Sequence, residues 1–297
     1  MNVTPWLRPG VIAAAFLILI PLFGAGFCPE RTRALRASVP HFALITSPGL
    51  LCIPYALVAF SFGDLRPGWL LLYALLPIAI AALMDQARDV DVKRAGNWRD
   101  FAVLLGLGLA VDLRWFESAW PAGLAALGKM LLLDAGIFGF LVVRQLDGVG
   151  FDMRLRAKDA GVGLREFCTF AVVVGVPLGL GLGFLHLHAL LPSPLRFAGA
   201  LLFTFVFIAI PEELFFRGWV QNLLERRLGR SLALIVTAAI FGLAHWNKRT
   251  ATFNWRYVLM AAIAGLFYGR AWRDQRRVGA SAIAHASVDT FWSIWLR

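Results

Sequence analysis

The chain has 297 residues, 59% of them hydrophobic, with a mean hydropathy of +0.70 and a formal net charge of +11. A soluble domain carries about 45–50% apolar residues, so the composition excludes an ordinary soluble protein and points to an all-α, polytopic transmembrane helix bundle. The positive residues sit in short loops between apolar blocks, as the positive-inside bias requires, which argues for a lipid bilayer and against nucleic acid as the partner.

In chain order, apolar blocks predict about 8–10 spans, at 11–28, 42–62, 68–84, 101–113, 119–143, 167–191, 197–216, 231–246, 256–272 and 280–296. The first follows Arg8 and resembles a signal peptide, but a chain of many spans reads more simply with an uncleaved first span. The fourth is short; were it not to cross, the first three spans would flip. Loops 29–41, 85–100, 144–166, 217–230 and 270–279 hold 20 Lys and Arg against 8 on the opposite side, which predicts those loops cytoplasmic and both termini outside. Arginine outnumbers lysine 25 to 4, a composition that fits a GC-rich bacterial genome and places this multi-pass chain in a bacterial cell (inner) membrane.

The polar loop 144–166 separates residues 1–150, N-terminal transmembrane helices of unassigned role, from residues 151–297, which carry the candidate site within a core at 197–297. Cys28, Cys52 and Cys168 form no disulfide framework and read as buried thiols. Gly175, Gly179 and Gly183 are spaced to open one helix face to a neighbouring helix. Lys129 and Asp134, inside a span, are expected to be paired or to face a cavity.

Pro211-Glu212-Glu213-Leu214-Phe215-Phe216-Arg217 places three ionisable groups in an otherwise apolar run. Each costs roughly 2.5–3.5 kcal/mol at mid-bilayer on insertion scales, so such groups mark function. Glu213 and Arg217 are spaced i,i+4 and read as an ion pair, leaving Glu212 on another azimuth. His245 closes Phe241-x-x-x-His245, and His285 opens His285-x-x-x-Asp289 on one helix face. His41 sits at the start of a span, and His186 and His188, two apart beside Pro192, read as interfacial. Counted from the nearest basic loop residues, Glu212 lies about 21 Å deep, His245 about 22 Å, Asp289 about 18 Å and His285 about 12 Å along their helices. Three spans thus bring polar groups to similar depth. A carboxylate in a cavity of low dielectric can act as base toward water, a histidine can share the proton, and a second polar pair can stabilise an oxyanion. No Gly-x-Ser-x-Gly occurs, so a covalent serine nucleophile is not indicated.

The ordered set Glu-Glu-x-x-x-Arg, Phe-x-x-x-His and His-x-x-x-Asp resembles the CPBP (ABI) family, which includes type II CAAX prenyl endopeptidases and bacterial relatives tied to bacteriocin processing and self-immunity. The resemblance covers about residues 197–297. It implies an intramembrane endopeptidase acting on a membrane-embedded or membrane-associated protein or peptide, with Glu212 and His245 activating water, His285 and Asp289 stabilising the oxyanion, and Glu213 and Arg217 supporting them. The family's last motif often ends in Asn where this chain has Asp289, and an ionised Asp donates no hydrogen bond. Metal dependence stays open: the preferred reading needs no cofactor, and the alternative is zinc held by Glu212, His245 and His285. A non-enzymatic membrane immunity or chaperone protein and a proton-coupled transporter are the competing readings.

Overall fold

A computed structural model describes residues 4–91, 93–188, 192–248 and 252–296. Arg249, Arg297 and the end of the 167–191 segment lie outside the described residues. Among those described, the chain is all helix, with no strand. Six helices are long and apolar enough to cross a membrane: α1 (Pro9–Phe27), α3 (His41–Phe62), α4 (Pro67–Val90), α6 (Ala125–Val143), α7 (Ala157–Gly181) and α8 (Pro194–Leu228). The connecting α2 (Pro29–Ser38), the shorter α5 (Trp98–Asp112) and α9 (Arg230–Leu243), and the more polar α10 (Trp255–Gln275) and α11 (Val278–Trp295) complete them. Every one of the ten predicted segments carries a helix.

The chain divides into two compact units, 1–147 and 148–297. In the first, α1 packs on the second half of α3, and α6 closes the group. Aromatic residues form its centre: the Tyr55 and Tyr73 rings stack at 5.1 Å, and Trp120 Nε1 donates to Tyr73 Oη at 2.7 Å. The buried Arg144, just past α6, donates to Asp100 Oδ1 at 2.8 Å and also to Asp91. Asp91 and Asp100 flank the start of α5, so α5 and α6 run out and back and return the chain to one end of this unit. Burial raises the Asp91 pKa, but amide donors from Gly96 and Ala95 and the Arg144 guanidinium outweigh it and hold the carboxyl below its ordinary value. Arg36 and His41 both pair with Asp85 at 2.8 Å, which places His41 at the head of α3 in a polar cluster. Lys129 pairs with Glu117 at 3.1 Å, whereas Asp134 is 1% exposed and neither of its oxygens has a hydrogen-bond partner among the described residues.

In the second unit, α11 is the central helix, packed by α7, α10 and parts of α8. Arg277, ahead of α11, clamps the start of α7 and the segment before it through Asp159 at 2.9 Å, Asp152 at 3.1 Å and the Arg154 carbonyl at 2.7 Å. Helix α7 starts earlier than its apolar block because Asp159 caps its first turn, accepting from the Arg156 amide at 2.9 Å. It ends at Gly181, ten residues short of the predicted span.

Two expectations are corrected here, and one is refined. His186 and His188, expected near the end of a span, lie past the helix, where their amides donate to the Leu296 and Trp295 carbonyls at 3.2 and 2.8 Å. Gly175 and Gly179 make room for Phe170 and Leu185 of their own segment, and Gly183 (φ +61) turns the chain out of the helix. Cys28 and Cys168 are exposed and Cys52 is half-buried, because these residues sit on outward faces whose apolar solvent is lipid.

Candidate active site

Glu212 and Glu213 sit midway along α8, where the helix alternates between α and wider π turns: Phe205–Ala209 and Leu214–Gln221 are π-helical. Such turns are rare and are found at functional sites, because they redirect side chains without ending the helix. Here they turn Glu213 and Arg217 fully inward while Glu212 keeps a side chain 36% exposed.

Arg217 is fully buried. Its Nε lies 3.2 Å from Glu213 Oε2, its Nη2 donates to the Gly265 carbonyl at 3.0 Å, and its guanidinium lies 4.6 Å from the Phe241 ring centroid. One turn on, Gln221 Nε2 donates to the Gly269 carbonyl at 3.3 Å. Glycine at 265 and 269 is what lets α8 come this close: a Cβ at 265 would meet Phe241 and Arg217, and one at 269 would meet Leu234 and Gln221.

The predicted Glu213–Arg217 pair is present, but Glu213 does more. Its Oε1 accepts from His285 Nδ1 at 2.8 Å. His285 is 2% exposed, and its Nε2 lies 3.4 Å from Asp289 Oδ2 and 3.9 Å from Glu212 Oε2. The i,i+4 spacing on α11 thus brings Asp289 to the same nitrogen that faces Glu212. A ring with carboxylates at both nitrogens donates to both only as imidazolium.

His245 lies in a turn two residues past the end of α9, not within the span as expected; its amide donates to the Gly242 carbonyl at 3.0 Å. The turn explains how Lys248 can follow so closely. His245 Nδ1 bonds the Phe241 carbonyl at 2.8 Å. A carbonyl only accepts, so Nδ1 carries the hydrogen and Nε2 of the neutral ring offers a lone pair. The Glu212 carboxylate is close enough to act on His245 electrostatically.

Phe241 stands between the two histidines, 4.8 Å from the His245 ring and edge-on to His285 at 5.6 Å. Two aromatic partners have no motif spacing of their own: Tyr257 stacks on His245 at 5.3 Å, and Tyr268 stacks on His285 at 4.7 Å and 12°. Both come from α10, and their only sequence signal is a tyrosine in a helix that also carries Gly265 and Gly269. A cavity of about 120 Å³ opens beside the polar cluster. His245, His285 and Asp289 line one wall, and Phe170, Met260 and Trp292 are among the apolar residues of the others.

Zinc fits this donor set poorly. Glu213 takes Nδ1 of His285, two carboxylates crowd its Nε2, and among the described residues no three His, Cys, Asp or Glu groups converge as ligands of one ion.

Residues 194–291 match the family described as Type II CAAX prenyl endopeptidase Rce1-like, a stretch that contains Glu212, Glu213, Arg217, His245, His285 and Asp289. No curated protein and no solved structure matches the chain. With its ordered motifs and several apolar helices, the chain is a multi-pass membrane protein whose segment 194–291 is similar to the Rce1-like family of type II CAAX prenyl endopeptidases.

Proposed function

We propose that this protein is an intramembrane endopeptidase that hydrolyses a peptide bond of a membrane-associated protein or peptide without a metal. The observation that supports this most is the convergence of His245, His285 and Asp289, from the turn after α9 and from α11, on one cavity, with Glu212 of α8 3.9 Å from His285 Nε2. Glu212, with an oxygen that has no hydrogen-bond partner, takes a proton from water, and Nε2 of neutral His245 orients that water or shares its proton. The water oxygen bonds to the carbonyl carbon, and the carbonyl electron pair moves to oxygen. As the oxyanion collapses, the C–N bond breaks and the amine leaves with the proton held by Glu212 or His245. The products are one carboxyl and one amino terminus. His285 and Asp289 occupy the oxyanion side, and Glu213 with Arg217 holds His285 in place. A purely structural immunity or chaperone role gives no reason for two histidines and a carboxylate to line an apolar cavity with a second carboxylate oxygen, Glu212 Oε2, left without a hydrogen bond close by.

The test compares membrane proteomes of cells carrying the wild-type chain and Glu212→Gln. One membrane protein accumulating as its uncut precursor, and cut again by purified wild-type protein in lipid nanodiscs, supports the reading. Equal processing by both forms overturns it. Full loss of activity with EDTA and rescue by zinc would overturn the metal-free part alone.

A further inference from the structure

An oxyanion needs hydrogen-bond donors, and the carboxylates and histidines of this cluster offer few. Glu212, Glu213 and Asp289 only accept when ionised. His285 Nδ1 is committed to Glu213, and its Nε2 already has carboxylate oxygens at 3.4 and 3.9 Å. His245 Nδ1 is committed to the Phe241 carbonyl. Resting on the protease reading above, we propose that Tyr268 is a further catalytic residue, whose phenol O–H donates the hydrogen bond that stabilises the oxyanion at the Asp289 side of the cavity.

Three observations carry this assignment. Tyr268 lines the cavity and lies flat on His285, at 4.7 Å and 12°, so α10 presents it directly against the polar cluster. The residue is 2% exposed, yet among the described residues its hydroxyl makes no hydrogen bond. A phenol at a cavity wall whose O–H makes no internal hydrogen bond keeps that donor for a ligand. Its oxygen is also within electrostatic reach of Asp289, Glu213, Arg217 and Glu212, the groups that surround the reacting centre. Packing fixes the ring on its other sides: Phe241 meets it edge-on at 5.8 Å, and the Arg217 guanidinium lies 5.5 Å from its centroid. A neutral phenol so held donates without changing protonation state and without reorganising, which is what favours a developing anion over a ground-state carbonyl. The proton stays on Tyr268 throughout; the hydrogen bond forms as charge builds on oxygen and weakens as the oxyanion collapses.

The test uses the full chain in lipid nanodiscs, a quenched fluorescent peptide spanning the cut site of the accumulated precursor, and a phosphonate analogue of that peptide. Tyr268→Phe is expected to lower kcat by about 10²–10³-fold with KM and thermal midpoint unchanged. Affinity for the tetrahedral phosphonate should fall with kcat, while the uncleaved peptide binds as before. A kcat within about threefold of wild type, or equal losses of peptide and phosphonate binding, overturns the assignment. Should Tyr268→Phe fail to fold, 3-fluorotyrosine at 268 keeps the shape with a stronger-donating phenol and should change phosphonate affinity relative to that of the uncleaved peptide; an unchanged ratio overturns it. Wild-type cleavage rates in Glu212→Gln would instead mean that the protease reading itself has failed.

Discussion

His285 is held by Glu213 rather than by Glu212: Nδ1 donates to Glu213 Oε1 at 2.8 Å, whereas Glu212 Oε2 stands 3.9 Å from Nε2. Two adjacent carboxylates of one helix therefore have different work. Glu213 is fully buried and binds Arg217 as well as His285; Glu212 is partly exposed and keeps an oxygen unbonded.

Glu213→Ala leaves the buried Arg217 without its counter-charge. Breaking a buried pair from one side costs about 3–5 kcal/mol, so this variant should unfold at a markedly lower denaturant concentration as well as lose activity. Glu212→Gln should do the opposite: turnover falls by about 10²–10⁴-fold while the unfolding midpoint stays near wild type. Parallel unfolding and turnover measurements on both variants check this separation. Similar stability losses would contradict it.

Gly269→Ala should destabilise the protein by about 1–3 kcal/mol, because the new methyl group meets Leu234 and the Gln221 amide. Pairing it with Gln221→Ala should recover part of the loss, since removing the long side chain vacates the space. A double-mutant cycle in unfolding free energy measures the coupling. Additive losses would show that the close approach is unimportant.

Acid should loosen the second unit through Asp152. Burial raises its pKa, but hydrogen bonds from the Arg154 side chain and amide and from Arg277 outweigh that and bring it down to about 2. The folded value lies below the unfolded one of about 3.9. The carboxylate's stabilisation is therefore complete above the unfolded value and is lost as pH falls through the folded one. Unfolding midpoints measured down to that range should decline in the wild type and decline less in Asp152→Asn. Equal declines would assign the acid sensitivity elsewhere.

Asp134 is buried with neither oxygen hydrogen-bonded among the described residues. An unsatisfied buried polar group costs about 1–3 kcal/mol. Asp134→Leu, of similar size, should therefore leave the first unit as stable as wild type or more so. A clear loss of thermal midpoint would show that the carboxyl is doing structural work.

The helices were legible because lipid demands apolar runs of a set length, and all ten runs carry one. Counting along the helices put Glu212, His285 and Asp289 at comparable positions, and their side chains do lie near one another. What sequence could not show is where regularity fails. His245 lies in a turn past α9, α7 stops at Gly181, and π turns shift the azimuths of Glu213 and Arg217. Contacts made by one helix on another were equally hidden: the second bond of Glu213 to His285 and the stacking of Tyr257 and Tyr268 depend on packing, not spacing.

Arg217 and Gln221 of α8 hold carbonyls 265 and 269 of α10, the same four-residue step on each helix. The two bonds work like the teeth of a rack. A slide of a fraction of a turn breaks both together, and the next register in which both could re-form lies about 5.4 Å away, one full turn. The distance between Glu212 and the α10 tyrosines is thereby indexed: thermal motion can blur it, but gradual drift under membrane stretch or thickness change cannot reset it.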